Sequence, residues 1–141
     1  MAYGNLKDMI STPIFEEMPL RGEQKEWYDE LRGGGHNKRV YDVDPYVEVY
    51  QFRENLYGLL THILDTGGGL VWMWLIIGPE KAMLVDTSFG VGNLKGLVDE
   101  TTGGMPLIVV NTHCSPDHSY GNCQFERCYS HQLQAPDMEW K

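Results

Sequence analysis

The chain has 141 residues, the size of one ordinary domain, and 42% of them are hydrophobic, which excludes a disordered protein. Twenty acidic and eleven basic residues give a formal net charge of −9. This charge argues against a nucleic-acid partner, because phosphates are bound through Lys and Arg.

Cysteine usage and hydropathy indicate where the protein resides. Cys114, Cys123 and Cys128 are odd in number and form no C-x-x-C pair, so no disulfide framework is predicted. The first residues contain no basic stretch followed by an apolar run, so they predict no secretory signal. The most apolar window, 70–77, is far shorter than the ~20 residues that span a bilayer. We therefore expect a cytoplasmic protein with no membrane partner.

Residues 1–41 are predicted to form an N-terminal extension. They are polar and are interrupted by prolines and by the glycine run 33–35. Residues 22–32 predict a short helix, because Trp27 and Leu31 fall on one helical face. Two interpretations stay open: the extension either packs on the edge of the following domain or forms a tail.

The remaining region, 42–141, is predicted to be the domain itself, and it begins with strands. Residues 46–52 alternate in polarity and contain β-branched and aromatic side chains, which predicts a half-buried strand. Residues 59–64 are a second candidate strand, and 65–69 form a turn signal. The window 70–77 that follows is almost continuously apolar, as expected of a strand buried on both faces.

A strand, a helix and a further strand complete the predicted order. Residues 82–86 are predicted to pair in a hairpin with the preceding strand, and 92–100 have the apolar spacing of a helix that glycine stops. Residues 107–111 then form another buried strand. The order predicts an α+β fold with a polar loop at the end of an inner strand, where catalytic groups often lie.

Three potential metal ligands follow that last strand within six residues: His113, Asp117 and His118. Imidazole and carboxylate groups are ligands that Zn²⁺ and Fe²⁺ accept. By themselves, these residues fit a metal site and also fit two surface histidines beside a turn-forming aspartate. Glycines at 90–96 miss the dinucleotide fingerprint by one residue, so no nucleotide cofactor is predicted.

The segment 112–121, THCSPDHSYG, resembles the metal loop of the metallo-β-lactamase superfamily, whose pattern is T-H-x-H-x-D-H-x-G-G. Upstream, the strand that ends at Asp86 resembles the family strand that ends in an aspartate. The helix and strand between these motifs follow the family's order, and the resemblance covers roughly residues 45–131. It implies an αββα sandwich, of which this chain covers about the first half and is truncated at its C-terminus.

The resemblance implies a role for each matching residue. His113 would be a ligand of a first metal, and Asp117 and His118 would be ligands of a second. Asp117 would also act in catalysis by orienting the metal-bound water or taking its proton. Asp86 would fix the loop through hydrogen bonds from behind the ligands. Ser115 stands where the family has its second histidine, and a neutral hydroxyl there weakens the first site.

The implied activity is that of a metal-dependent hydrolase. A metal-bound water attacks a carbonyl, ester, thioester or phosphoester of a small-molecule substrate, whose class the sequence does not identify. One or two Zn ions are expected, with Fe or Mn as alternatives. Further ligands lie in the family's second half, so enzymatic activity would depend on a C-terminal half that completes the site.

Two other functions stay open. One is an inactive fragment that pairs with itself as a homodimer, because half of a sandwich leaves an apolar face uncovered. The other is a mononuclear iron protein that uses His113, Asp117 and His118 as a two-histidine, one-carboxylate set. The order of strands and helix does not favour the iron protein.

Overall fold

The computed structural model describes residues 26–27, 29–31, 33–62 and 70–134. The strands in these ranges are β1 (Arg39–Tyr41), β2 (Asp44–Arg53), β3 (Leu56–His62), β4 (Leu70–Ile77), β5 (Ala82–Val85) and β6 (Leu107–Val110). The α-helices that carry the later argument are α1 (Leu94–Thr102) and α2 (Pro116–Ser119). No helix in these ranges combines the length and the apolar character that a bilayer crossing requires.

All six strands form one sheet, in which their spatial order is the same as their order in the sequence. Neighbours from β1 to β5 are antiparallel, and β5 and β6 are parallel. The parallel pair follows from the chain path, because α1 returns the chain to the same end of the sheet before β6 starts. The predicted α+β class and the predicted hairpin of β4 and β5 are confirmed.

Several element boundaries differ from the predicted ones by one to three residues, and two of these differences have a clear local reason. β5 ends at Val85 because Asp86 has a φ of +66°, a left-handed conformation that cannot continue a strand. α1 begins at Leu94, two residues later than predicted. Its start is set by Asn93, whose side chain accepts a hydrogen bond from the Gly96 N–H at 3.0 Å.

One face of the sheet packs against α1 and forms the main core. The helix contributes the side chains that its apolar spacing predicts, and each strand from β2 to β6 contributes alternate residues. The buried members of this cluster are Val47, Val49, Leu59, Met73, Leu75, Ala82, Leu84, Leu94, Leu97, Val98 and Val109. β5 and β6 both contribute side chains to this core, which supports the loops at their ends.

The opposite face carries a smaller aromatic cluster. Leu31, from the helical residues before β1, is buried against it, and the Trp27 ring centroid lies 6.1 Å from that of Trp72. The described residues of the predicted helix 22–32 are therefore helical and pack on the sheet. The predicted turn at 65–69, the first 25 residues and everything after residue 134 lie outside the described part. The division of the chain at residue 41 stays a prediction.

Candidate metal site

The candidate site lies beyond the C-terminal ends of β5 and β6. Because these strands are parallel, the residues that follow them emerge at the same edge of the sheet. Asp86 follows β5 directly, and Asn111, Thr112 and His113 follow β6. The Asp86 N–H donates to the Val110 carbonyl at 2.8 Å, which joins the two strand ends.

The three predicted ligands converge. His113, Asp117 and His118 each offer one ligand atom within 4.8 Å of the others. The two imidazole centroids are 4.2 Å apart, and His118 Nε2 lies 3.4 Å from Asp117 Oδ2. The side chains of His118 and Asp117 are 24% and 35% exposed, so the cluster opens to solvent.

Two of the three ligands lie on α2, a helix of a single turn. Ser115 is its N-cap residue and Pro116 is its first residue, a position at which proline needs no N–H partner. The Ser115 carbonyl accepts hydrogen bonds from the N–H groups of His118 at 2.9 Å and Ser119 at 3.1 Å. The Ser115 side chain makes no cap hydrogen bond. Ser115 thus shapes the turn through its backbone.

Asp86 lies behind the ligands and is only 4% exposed. Its Oδ1 accepts a hydrogen bond from the Thr112 N–H at 2.7 Å, and its Oδ2 accepts one from the Thr112 hydroxyl at 2.8 Å. The same Oδ2 lies 2.9 Å from His118 Nδ1. One carboxylate therefore contacts both the loop backbone and an imidazole of the cluster.

A buried polar network supports the His118 backbone from the other side. The His118 carbonyl accepts hydrogen bonds from the Thr87 N–H at 2.9 Å and from Asn111 Nδ2 at 3.0 Å. Asn122 joins these two residues, because its Oδ1 accepts from the Thr87 hydroxyl and its Nδ2 donates to Asn111 Oδ1. No role was predicted for these three residues or for Thr112. The sequence signal that could have indicated them is their position, because Thr112 lies within the recognised metal-loop motif and the other three are polar residues that adjoin the recognised motifs.

Gly121 allows the loop to lie against the end of β5. A Cβ atom at this position would lie 2.1 Å from the Thr87 carbonyl oxygen, closer than any side chain allows. The Gly121 N–H donates to the Ser88 carbonyl at 3.0 Å. The glycine therefore fixes how closely the ligand loop approaches the segment after Asp86.

The donor set fits a transition-metal ion. Two ligands that each lie ~2.1 Å from one zinc ion can be at most ~4.2 Å apart, so the 4.8 Å cluster needs to contract only slightly. Two imidazoles and a carboxylate are also the nitrogen and oxygen donors that Zn²⁺, Fe²⁺ and Mn²⁺ take in proteins. Within the described ranges, His113, Asp117 and His118 form a group of three such donors that could hold an ion.

No protein-family model matches the sequence. A Homo sapiens protein named acyl-coenzyme A thioesterase MBLAC2 is 34% identical over a 74-residue alignment, which covers 45% of this chain and 26% of the thioesterase.

Solved structures give a likeness of fold. The DIM-1 metallo-β-lactamase superposes with a TM-score of 0.56 and 18% identity, over 69% of this chain and 47% of that chain. A metallo-β-lactamase from Erythrobacter litoralis superposes with a TM-score of 0.56 and 18% identity, over 72% and 49%. The chain thus spans less than half the length of the relatives that it matches.

Proposed function

We propose, from the premise that this chain has the N-terminal half of the metallo-β-lactamase fold, that it supplies the metal-binding loop of a metal-dependent hydrolase. One observation carries the proposal: His113, Asp117 and His118 bring their ligand atoms within 4.8 Å of one another at the ends of two parallel strands. The predicted resemblance and the predicted half-sandwich are confirmed by the superpositions.

Each residue of the cluster has a proposed part in the reaction. His113, Asp117 and His118 would hold the ion, which when bound supplies a Lewis acid and a water acidified towards pKa ~7. Asp117 is partly exposed and can orient that water or accept its proton. Asp86 holds the His118 ring through the 2.9 Å contact with Nδ1, which leaves Nε2 for the ion.

The substrate that we propose is an acyl thioester of a small carrier molecule. The sequence relative is named as an acyl-coenzyme A thioesterase, and the structural relatives are named as β-lactamases. Both names denote hydrolysis of a carbonyl bonded to a heteroatom. The thioester is favoured because the thioesterase is 34% identical where it aligns, against 18% for the lactamases quoted above.

We propose that this half of the fold holds one metal ion. Ser115 replaces an imidazole with a hydroxyl, which is a poor zinc ligand, and the three remaining ligands lie close to a single point. Further ligands would come from a C-terminal half of the fold.

The test is metal analysis of the purified chain, with a thioesterase and lactamase assay on the chain with and without a C-terminal half. We expect about one zinc per chain, lost in His113→Ala and kept in His131→Ala. His131 is a matched control, because it is exposed and its Nδ1 accepts from the Leu133 N–H within its own turn. One iron per chain would instead support the mononuclear iron protein, and one manganese would correct the metal. Absence of any bound metal would overturn the proposal.

A second candidate function is an interaction module, and the aromatic face favours it. Trp72 and Trp74 stack at 5.5 Å on the side of β4 opposite α1, and Ile76 on the same side is 38% exposed. An apolar sheet face of this kind commonly marks an interface. The homodimer that was expected from the sequence stays a prediction. A dimer in size-exclusion chromatography that Ile76→Lys dissociates would support it.

A further inference from the structure

We infer that Thr112 is a positioning residue, which determines the ring nitrogen that His113 presents to the metal. The inference rests on the proposed function, because it concerns the same cluster. Thr112 lies between Asp86 and His113, and its hydroxyl is 2.8 Å from Asp86 Oδ2 and 3.0 Å from His113 Nδ1. The protons available along this path determine which ring nitrogen carries a hydrogen.

The Asp86 carboxylate places a proton on His118 Nδ1. An ionised carboxylate only accepts hydrogen bonds, so every group in contact with its oxygens must donate. The Thr112 N–H donates to Oδ1, and the Thr112 hydroxyl donates to Oδ2. His118 Nδ1, at 2.9 Å from Oδ2, must then carry a proton as well.

The Thr112 hydroxyl contacts both Asp86 and His113. A hydroxyl has one proton, and here that proton is donated to Asp86. Towards His113 the oxygen can therefore act only as an acceptor. His113 Nδ1, 3.0 Å away, must supply the proton of that hydrogen bond.

Both rings are thus fixed in the same tautomer by one carboxylate. In a neutral imidazole, a proton on Nδ1 leaves the lone pair on Nε2, which becomes the ligand atom. His118 receives this constraint directly, and His113 receives it through one hydroxyl. Removal of the hydroxyl should therefore release His113 and leave His118 unchanged, which no general loss of structure would do.

The first measurement needs no metal. In the ¹⁵N-histidine-labelled apo chain at about pH 8, above the ordinary histidine pKa of ~6.5, two-bond ¹H–¹⁵N correlations identify the tautomer of each ring. We expect Nδ1–H for both rings in the native chain. Thr112→Val should shift His113 towards a mixture of tautomers and leave His118 as Nδ1–H, and Thr112→Ser should restore the native pattern. A His113 ring that stays fully Nδ1–H in Thr112→Val would overturn the inference.

The second measurement is zinc affinity by calorimetry. Loss of such a supporting hydrogen bond typically weakens metal binding ~10–100-fold, so Thr112→Val should fall in this range and Thr112→Ser should stay close to native. Thr101→Val is the matched control, because it removes a hydroxyl that bonds the Leu97 carbonyl within α1. A loss in Thr101→Val equal to that in Thr112→Val would count against the positioning role.

The two measurements separate the two proposals. Expected tautomers without zinc binding would overturn the hydrolase proposal and leave the role of Thr112 intact. Zinc binding that is equal in all variants, with unchanged His113 tautomers, would do the reverse. Circular dichroism of Thr112→Val establishes that the variant is folded before either result is interpreted.

Discussion

Two aspartates in this protein are both buried but have different hydrogen-bond surroundings. Asp86 is 4% exposed, and its two oxygens are contacted by the Thr112 N–H, the Thr112 hydroxyl and His118 Nδ1. Asp44, at the start of β2, is 0% exposed, and within the described part of the chain its Oδ2 has no hydrogen-bond partner.

The surroundings of Asp44 disfavour its charged form. Burial raises the pKa of Asp44 to about 6, although hydrogen bonds from the backbone N–H groups of Tyr46 and Asn93 lower it. Burial of a carboxylate is costly where one oxygen has no donor, and hydrogen bonds from surrounding donors offset that cost. Asp86 organises the candidate site, whereas Asp44, which lies next to the loop before α1, lowers the stability of the folded state when it is ionised.

The largest expected effect is that of Asp86→Ala. It removes the shared acceptor of the ligand loop and with it three hydrogen bonds to a charged group, so the free energy of unfolding should fall by about 3 kcal/mol. Zinc affinity should fall about 100-fold, because both imidazoles lose their orientation. Urea unfolding and calorimetric zinc titration measure the two effects. A variant with native stability would contradict the contrast between the two aspartates.

Asp44→Asn should have the opposite sign. The native carboxyl has a folded pKa raised from 3.8 to about 6, so its stabilising contribution is complete below pH ~4 and is lost as pH rises through 6. The shift corresponds to about 3 kcal/mol at pH 7. An amide group in the place of Oδ2 would also lack a hydrogen-bond partner, and this offsets part of the gain. We therefore expect a net increase in the free energy of unfolding of about 1–2 kcal/mol at pH 7.

The measurement for Asp44→Asn is the difference in unfolding free energy between variant and native chain, from pH 4 to pH 8. The difference should grow with pH and level off above pH ~7. The comparison of the two chains at each pH cancels the titration of the other carboxylates. A difference that does not change across this range would show that ionisation of Asp44 does not destabilise the folded state.

Ser115→Ala should have the smallest effect. Ser115 occupies the N-cap of α2, where loss of a capping side chain usually costs about 1 kcal/mol. Its side chain makes no cap hydrogen bond, so a change below about 0.5 kcal/mol in thermal unfolding is expected. A larger loss would show that the loop depends on its own cap as well as on Asp86.

Much of the fold could be predicted from local patterns. β4 coincides with the predicted strand 70–77, and α1 buries Leu94, Leu97 and Val98, which the helical spacing brings to one face. The ends of the elements were less predictable, because they depend on single backbone conformations. The positive φ of Asp86 is an example, since many aspartates after strands stay extended.

The amino-acid sequence alone determined the periodic elements and the clustering of His113, Asp117 and His118 within six residues, because both are local properties of the chain. Only the tertiary structure decided that Asp86 meets Thr112 and His118, which are 26 and 32 residues away, and that Asp44 Oδ2 has no hydrogen-bond partner among the described residues. Such pairings arise from the parallel return of β6 beside β5 and from burial of whole elements. A short window of sequence does not specify which strands pair or which elements become buried.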